Sequence, residues 1–295
     1  MNKNNKKYNL VCSIVLYEND QKTLERTIKS IYYSKLDKVQ ICLIDNSPKK
    51  LIYIDELLLK YPEVDYIYSG INLGYGYANN QVMKKYLDRT ECFLVLNPDV
   101  EFNEDALSPV YNFMNQNQDI GLCGVKILNK DKGIQYANKR LPKPLDVLVR
   151  FLGNKIPLLG RLIKKIFKKS RDKYKLKDLD HHKNILCPVI SGCFMFFRAS
   201  ILKDVGGFDP RFFMYYDDVD LSRRVFSKHK VILFNKIHVT HVWQRTSYKN
   251  VSLLKEHIKS TFRYFNKWGW FFDKDRKNIN SKARSIEDEG YIKER

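Results

Sequence analysis

The sequence predicts an α/β protein built on a doubly wound, mostly parallel sheet. Two observations carry that prediction. The first hundred residues alternate β-rich apolar runs with stretches of helical apolar spacing. The second and fourth apolar runs break at strong turn signals that end in or next to a carboxylate. Residues 10–16 read as the first strand. Residues 22–33, with Leu24, Ile28 and Ile31 in phase, read as the first helix. A second strand over 39–44 ends at Asp45-Asn46-Ser47-Pro48. A helix over 54–59, a strand over 64–68 and a helix over 76–86 follow, and a fourth strand over 93–96 ends at Asn97-Pro98-Asp99. Ligands of such sheets bind beyond the carboxyl ends of the strands. That rule singles out Glu18, Asp45, Asn72 and Asp99.

Composition narrows the classes of function. With 295 residues and 44% hydrophobic side chains, the chain has a core and is not disordered. Lys and Arg number 53 against 33 Asp and Glu, a net charge of +20. Such an excess suits an anionic partner: nucleic acid, a membrane surface or a phosphorylated substrate. Six cysteines at 12, 42, 92, 123, 187 and 193 lack zinc-site spacing and read as buried thiols in a reducing cytoplasm. Residues 1–20 read as a basic start and a strand, not a signal peptide. The apolar run 185–197 holds Pro188 and Gly192 and is shorter than the ~20 residues a bilayer span needs, and residues 186–198 read as strand. The expectation is a soluble or peripheral protein.

Residues 150–183 carry twelve Lys or Arg against three Asp. Within them, apolar positions 158, 159, 162, 163, 166 and 167 and basic positions 161, 164, 165, 168 and 169 fall on opposite halves of a helical wheel. That pattern fits an interfacial helix, and equally a core-packed helix with a solvated basic face. The aromatic stretch 262–272 reads as a second interfacial element or as plain packing. Beyond Phe272 the chain is mostly charged, and a frayed end is expected.

Four constellations could carry chemistry. Asp99, after a buried strand, suits a helix cap or a ligand for a divalent cation. Asp217-Asp218-Val219-Asp220, beside Phe212-Phe213-Met214-Tyr215-Tyr216, sets three carboxylates in four positions. Their repulsion needs a cation or a proton to offset it, the setting in which a carboxylate becomes a general base. His238 and His241 face opposite sides of a strand, so they do not form an obvious ligand pair. Glycines in Asn72-Leu73-Gly74-Tyr75-Gly76 lie between strand and helix and allow a ligand close to the backbone. The third glycine of a dinucleotide loop is missing.

In this order and spacing the segments resemble an inverting glycosyltransferase of family 2 with the GT-A fold. The nearest likeness is to the bacterial rhamnosyltransferases of O-antigen and cell-wall polysaccharide synthesis. The resemblance spans residues 8–268. It rests on Leu16-Tyr17-Glu18, Ile44-Asp45-Asn46-Ser47, Asn72-x-Gly74-x-Gly76-x-Ala78-x-Asn80 and Leu96-Asn97-Pro98-Asp99. Further along it rests on Ser191-Gly192-Cys193-Phe194-Met195, Gly206-Gly207-Phe208-Asp209, the 213–221 segment and His241.

The resemblance implies roles residue by residue. Asp218 matches the catalytic base, with Asp217 where the family more often has Glu. Asp99 matches the surviving carboxylate of a D-x-D metal motif and, with His241, would hold Mg²⁺ or Mn²⁺; Asn97 stands in for the first Asp. Tyr17, Glu18, Asp45, Asn72, Gly74, Asn80, Asn97 and Asp99 would line the donor, Asp45 accepting from a pyrimidine base. Glu18 stands where the family often has Asn. The implied donor is a dTDP-sugar, dTDP-L-rhamnose above others, and the acceptor a saccharide on undecaprenyl diphosphate. The protein would sit in the cytoplasm, peripheral at the inner face of the membrane, against an anionic surface. No nucleic acid is expected, because the chain has no recognised nucleic-acid module. The organisation expected is a catalytic domain over 1–245, with a basic insertion at about 147–183, and a helical extension over 246–295.

Overall fold

The computed structural model describes residues 7–155, 165–242 and 251–287. Its first half is the predicted alternation: β1 (Tyr8–Leu16), α1 (Gln21–Tyr32), β2 (Val39–Asp45), α2 (Ile54–Lys60), β3 (Asp65–Tyr68), α3 (Tyr75–Tyr86) and β4 (Thr90–Leu96). β1 is a continuous apolar run because it is buried on both faces. Leu10, Cys12, Ile14 and Leu16 enter one core with Leu24 and Ile28 of α1 and Leu57 of α2. Val11 and Val15 enter the opposite core with Ala78 and Val82 of α3. The period of two along the strand therefore divides the sequence between two helical layers.

The second half is β5 (Val100–Glu101), α4 (Leu107–Gln116), β6 (Ile120–Leu128), α5 (Pro144–Lys155), α6 (Lys168–Tyr174), β7 (Asn184–Leu186), β8 (Phe194–Arg198) and α7 (Ala199–Asp204). It continues with α8 (Asp217–Phe226), β9 (Lys230–His241), α9 (Val251–Trp268), α10 (Lys274–Lys282) and β10 (Arg284–Ile286). All ten strands form one sheet in the order β10-β7-β9-β6-β8-β4-β1-β2-β3, with β5 added beside β9. The β3-β2-β1-β4 part is parallel, β8 is antiparallel to β4, and β6 and β9 are again parallel. β1 has β2 on one side and β4 on the other. The chain reverses its direction of winding there, so a crevice opens beyond the carboxyl ends of β1 and β4.

Two expectations change, and a third lies largely outside the described residues. The predicted strand over 186–198 is two strands in different parts of the sheet, because Pro188 cannot donate to a ladder. The tail beyond Phe272 is not frayed up to residue 287. Asp273 caps α10 by accepting from the Arg276 amide, and β10 pairs antiparallel with β7. Residues 156–164 of the amphipathic 158–169 segment lie outside the described residues; in its described end the chain turns at Phe167 and starts α6 at Lys168. All six cysteines are buried free thiols. Among the described residues no helix is long and apolar enough to cross a membrane.

Candidate active site

β4 ends at Leu96, and the next three residues turn into β5. Val100 of β5 pairs with His241 of β9, and the Val242 amide donates to the Asp99 carbonyl at 2.8 Å. That pairing sets the Asp99 carboxylate 3.2 Å from His241 Nε2. The other ring nitrogen, Nδ1, lies 2.8 Å from Gln135 Oε1. An amide oxygen only accepts, so Nδ1 donates to Gln135 and Nε2 is the ring nitrogen turned toward Asp99. Asn97 completes this corner, its amide nitrogen 3.5 Å from Nε2.

The donor set is one carboxylate and one imidazole, both mostly buried. Among the described residues no group of three or more His, Cys, Asp or Glu could close around a metal. Two protein ligands with an oriented imidazole fit a divalent cation whose remaining positions come from diphosphate oxygens and water.

The acidic cluster lies at the start of α8. Tyr215 and Tyr216 adopt left-handed backbone (φ 66° and 64°), turning the chain so that α8 starts at Asp217. Asp218 is half-buried; its Oδ2 accepts from the Gly192 amide at 3.1 Å and its Oδ1 from the Val219 amide at 2.8 Å. Burial raises its pKa, and Lys139 opposes the rise. Asp217 is 4% exposed, and its Oδ2 has no hydrogen-bond partner among the described residues. Burial first, and the charge of Asp218 second, push its pKa far above the carboxylate range, so it holds a proton. Asp220 points the other way. It accepts from Arg224 at 2.9 Å and Trp268 at 2.8 Å and pairs with Lys267 at 2.6 Å. The three carboxylates are thus reconciled separately, by backbone amides, a proton and cations.

A single side chain joins the two corners. The Tyr75 hydroxyl lies 2.7 Å from the Gly192 carbonyl and 3.0 Å from Asn97 Oδ1. Asp218, Gly192, Tyr75, Asn97, His241 and Gln135 therefore form one chain of contacts from Asp218 to the Asp99–His241 corner. Burial keeps the Tyr75 phenol well above its ordinary pKa and neutral.

The decisive observation is on the sequence: the model of glycosyl transferase family 2 matches residues 12–206. The chain belongs to that family. This family 2 glycosyltransferase is 29% identical over 225 residues to rhamnosyltransferase WbbL of Escherichia coli K12, covering 71% of this chain and 78% of that protein. To the N-acetylglucosaminyl-diphospho-decaprenol L-rhamnosyltransferase of Mycobacterium tuberculosis it is 26% identical over 263 residues, 81% of this chain and 78% of that one. A hexosyltransferase of low-salt glycan biosynthesis in Haloferax volcanii, Agl10, is 27% identical over 202 residues, 68% of this chain. The match spans little more than half, 57%, of that archaeal protein. Among solved structures, GalNAc-T7 with UDP, GalNAc and Mn²⁺ superposes with a TM-score of 0.61 at 13% identity, over 95% of this chain and 55% of that one. S. aureus TarS gives 0.53 at 14% identity, over 79% of this chain and 36% of that one. At such identities these likenesses show the fold, GT-A, and nothing finer.

The remaining expected donor residues of this family 2 glycosyltransferase sit around the crevice with varied duties. Tyr17 and Glu18 are exposed just past β1, Glu18 in left-handed backbone with its amide on the Ser47 hydroxyl at 2.8 Å. Asp45 is wholly buried at the end of β2; it accepts from the Tyr66 hydroxyl at 2.7 Å and the Ser47 amide at 2.9 Å. Asn72 is exposed, and its side chain accepts from the Gly74 amide at 3.0 Å. Gly74 has φ 79°, and a Cβ there would lie 2.3 Å from the Phe213 carbonyl oxygen. The Asn80 amide grips the Phe208 backbone, donating at 2.8 Å and accepting at 2.9 Å. Gln135 and the bridging role of Tyr75 went unread. Tyr75 stands between two glycines, a signal the sequence did carry; Gln135 lies in a loop with none.

Proposed function

We propose that the chain is an inverting glycosyltransferase moving a sugar, L-rhamnose from dTDP-L-rhamnose, onto a saccharide carried on polyprenyl diphosphate at an anionic membrane face. The observation that carries the reaction class is the facing of Asp218 and the Asp99–His241 pair across one crevice, linked through Gly192, Tyr75 and Asn97. The names of two relatives support the sugar and the lipid-linked acceptor. The net charge of +20 supports the membrane face, and the basic 158–169 segment adds to it.

Reaction would run as a single displacement. Asp218 removes the proton from an acceptor hydroxyl, whose oxygen forms the new bond to the anomeric carbon. The bond from that carbon to the diphosphate breaks on the opposite face, and its electron pair leaves with the nucleoside diphosphate. Mg²⁺ or Mn²⁺ held by Asp99 and His241 would supply charge stabilisation to that leaving group. Asp217, protonated, spares Asp218 a second negative neighbour. One base and one cation suffice; the paired acid and nucleophile of a glycoside hydrolase are not needed.

The test is a panel of dTDP- and UDP-sugars offered with synthetic polyprenyl-diphosphate-GlcNAc, products read by mass spectrometry. A deoxyhexose added only from dTDP-rhamnose is the expected result. Transfer from a UDP-hexose instead would keep the enzyme class and replace the donor.

A further inference from the structure

The loop after α9 exposes two consecutive aromatic side chains: Phe271 is 79% and Phe272 99% exposed. Phe262, at 54%, and Ile258, one turn earlier on α9, extend the apolar surface toward them. Phe262 meets Trp270 edge-on at 5.2 Å, so the surface is continuous.

The loop is held firmly at its base. Arg276, 6% exposed, donates to the carbonyls of Trp270 at 2.8 Å and Gly269 at 3.4 Å. Asp273, 9% exposed, takes both Arg223 nitrogens at 2.7 Å. Trp270 stacks on the fully buried Phe265 at 5.0 Å. A loop anchored this way, with phenyl rings at its tip, presents apolar area as a fixed feature of the fold.

Its surroundings are basic. Residues 255–277 carry seven Lys or Arg against three Asp or Glu. Of the three acids, Asp273 is buried against Arg223 and Glu256 is paired with Lys259 at 2.6 Å; of the cations, Arg276 is buried and Lys267 is paired with Asp209 and Asp220, so the exposed rim is Lys255, Arg263, Lys274 and Lys277. Exposed phenyl rings rimmed by cations, with a tryptophan behind them, match the chemistry of an anionic bilayer surface: acyl chains for the rings and phosphates for the cations.

We propose that the Phe271–Phe272 tip, backed by Ile258 and Phe262, is the element by which this protein inserts into the interface of anionic membranes. The surface connects directly to the catalytic helix. Arg223 and Asp220 of α8 are tied to Asp273 and Trp268, and Tyr216, one residue before Asp217, packs in the same aromatic cluster. Docking there would bring the start of α8 to the level of a lipid-linked acceptor, a consequence that rests on the acceptor proposed above. The insertion itself is read without any acceptor.

The test uses the full chain with vesicles of phosphatidylglycerol and phosphatidylethanolamine that contain no polyprenyl lipid. The F271S/F272S double variant should fold normally, since both side chains are exposed, and a matching melting temperature checks this. Its vesicle partitioning is expected to fall about tenfold or more. Bromine-labelled acyl chains should quench the tryptophan fluorescence of the wild type and not of the double variant. Transfer to a water-soluble acceptor should be unchanged. Equal sedimentation of the two proteins with vesicles, with release only when Lys168 and Lys169 become Glu, would overturn the proposal. So would a wild type that self-associates in vesicle-free solution through these residues while the variant is monomeric and binds vesicles normally; the surface would then belong to a second copy of the chain. A wrong donor or acceptor would show in the transfer assay and leave vesicle binding untouched.

Discussion

Gln135 decides which nitrogen of His241 is available. Its Oε1 accepts from Nδ1 at 2.8 Å, which holds the ring so that Nε2 is turned toward the Asp99 carboxylate 3.2 Å away. The two residues are 106 positions apart, brought together by the pairing of β5 with β9 and by the bridge between Leu128 and Ile134. Removal of the acceptor should free the ring to rotate or change tautomer. We expect Gln135→Ala to weaken Mn²⁺-dependent binding of a nucleoside diphosphate by about 10–100-fold, the usual cost of losing such an orienting partner. Titration calorimetry with and without Mn²⁺ measures it. Unchanged affinity would remove the orienting role.

Asp99→Ala should abolish the metal-dependent part of that binding, and EDTA should abolish turnover of the wild type. Sustained turnover in EDTA would exclude the metal corner from the reaction.

Asp218→Asn should lower kcat by about 10²–10⁴ with nucleotide affinity nearly intact. Because burial raises the Asp218 pKa, kcat/KM should climb with pH through a value above the ordinary carboxylate range, as the base loses its proton. Asp217 gives a different signature. Its folded-state pKa lies above the unfolded value, so the folded protein holds a proton the unfolded chain releases. Stability contributed by that proton is complete below pH ~4 and is lost as pH rises toward the folded pKa. Asp217→Asn should therefore melt higher than wild type at alkaline pH, with the gap closing toward pH 4. A dead Asp217→Asn beside a normal Asp218→Asn would move the base by one residue.

Arg223 and Asp273 form a bidentate pair with both side chains 2% exposed, and the Arg223 guanidinium lies 4.1 Å from the Trp268 ring. Asp273→Ala would leave a buried guanidinium unpaired and should cost about 3–5 kcal/mol in urea unfolding. A loss under ~1 kcal/mol would mean that the tail is not part of the cooperative fold.

Gly74→Ala tests the donor loop. The added methyl would meet the Phe213 carbonyl at 2.3 Å in a left-handed backbone. We expect about 2 kcal/mol or more of destabilisation. Wild-type stability in that variant would show that the 213 segment moves freely relative to α3.

Local pattern was enough for much of this protein. Period-two and helical spacings depend on neighbours a few residues apart, so β1, α1, β2 and α3 were legible within a residue or two, as were the carboxylates at the ends of β2 and β4. The ordered motifs single out Asp99, His241 and Asp218, and the structure links them through Asn97, Tyr75 and Gly192. What the sequence could not determine is how each polar atom is spent, because that depends on partners far along the chain. Asn80 stands in the donor-loop motif, and its amide also donates to the Phe208 carbonyl, 128 positions away. Asp220 looks like a third acid of the site, yet helical rotation turns it toward Trp268 and Lys267. The charged tail has almost no apolar periodicity, and its order comes from one buried ion pair with Arg223 and from three residues added to the edge of a sheet. Strands and helices are written in short-range spacing; the protonation of Asp217, the orientation of the His241 ring and the exposure of Phe272 are set only when distant segments bury, or fail to bury, one another.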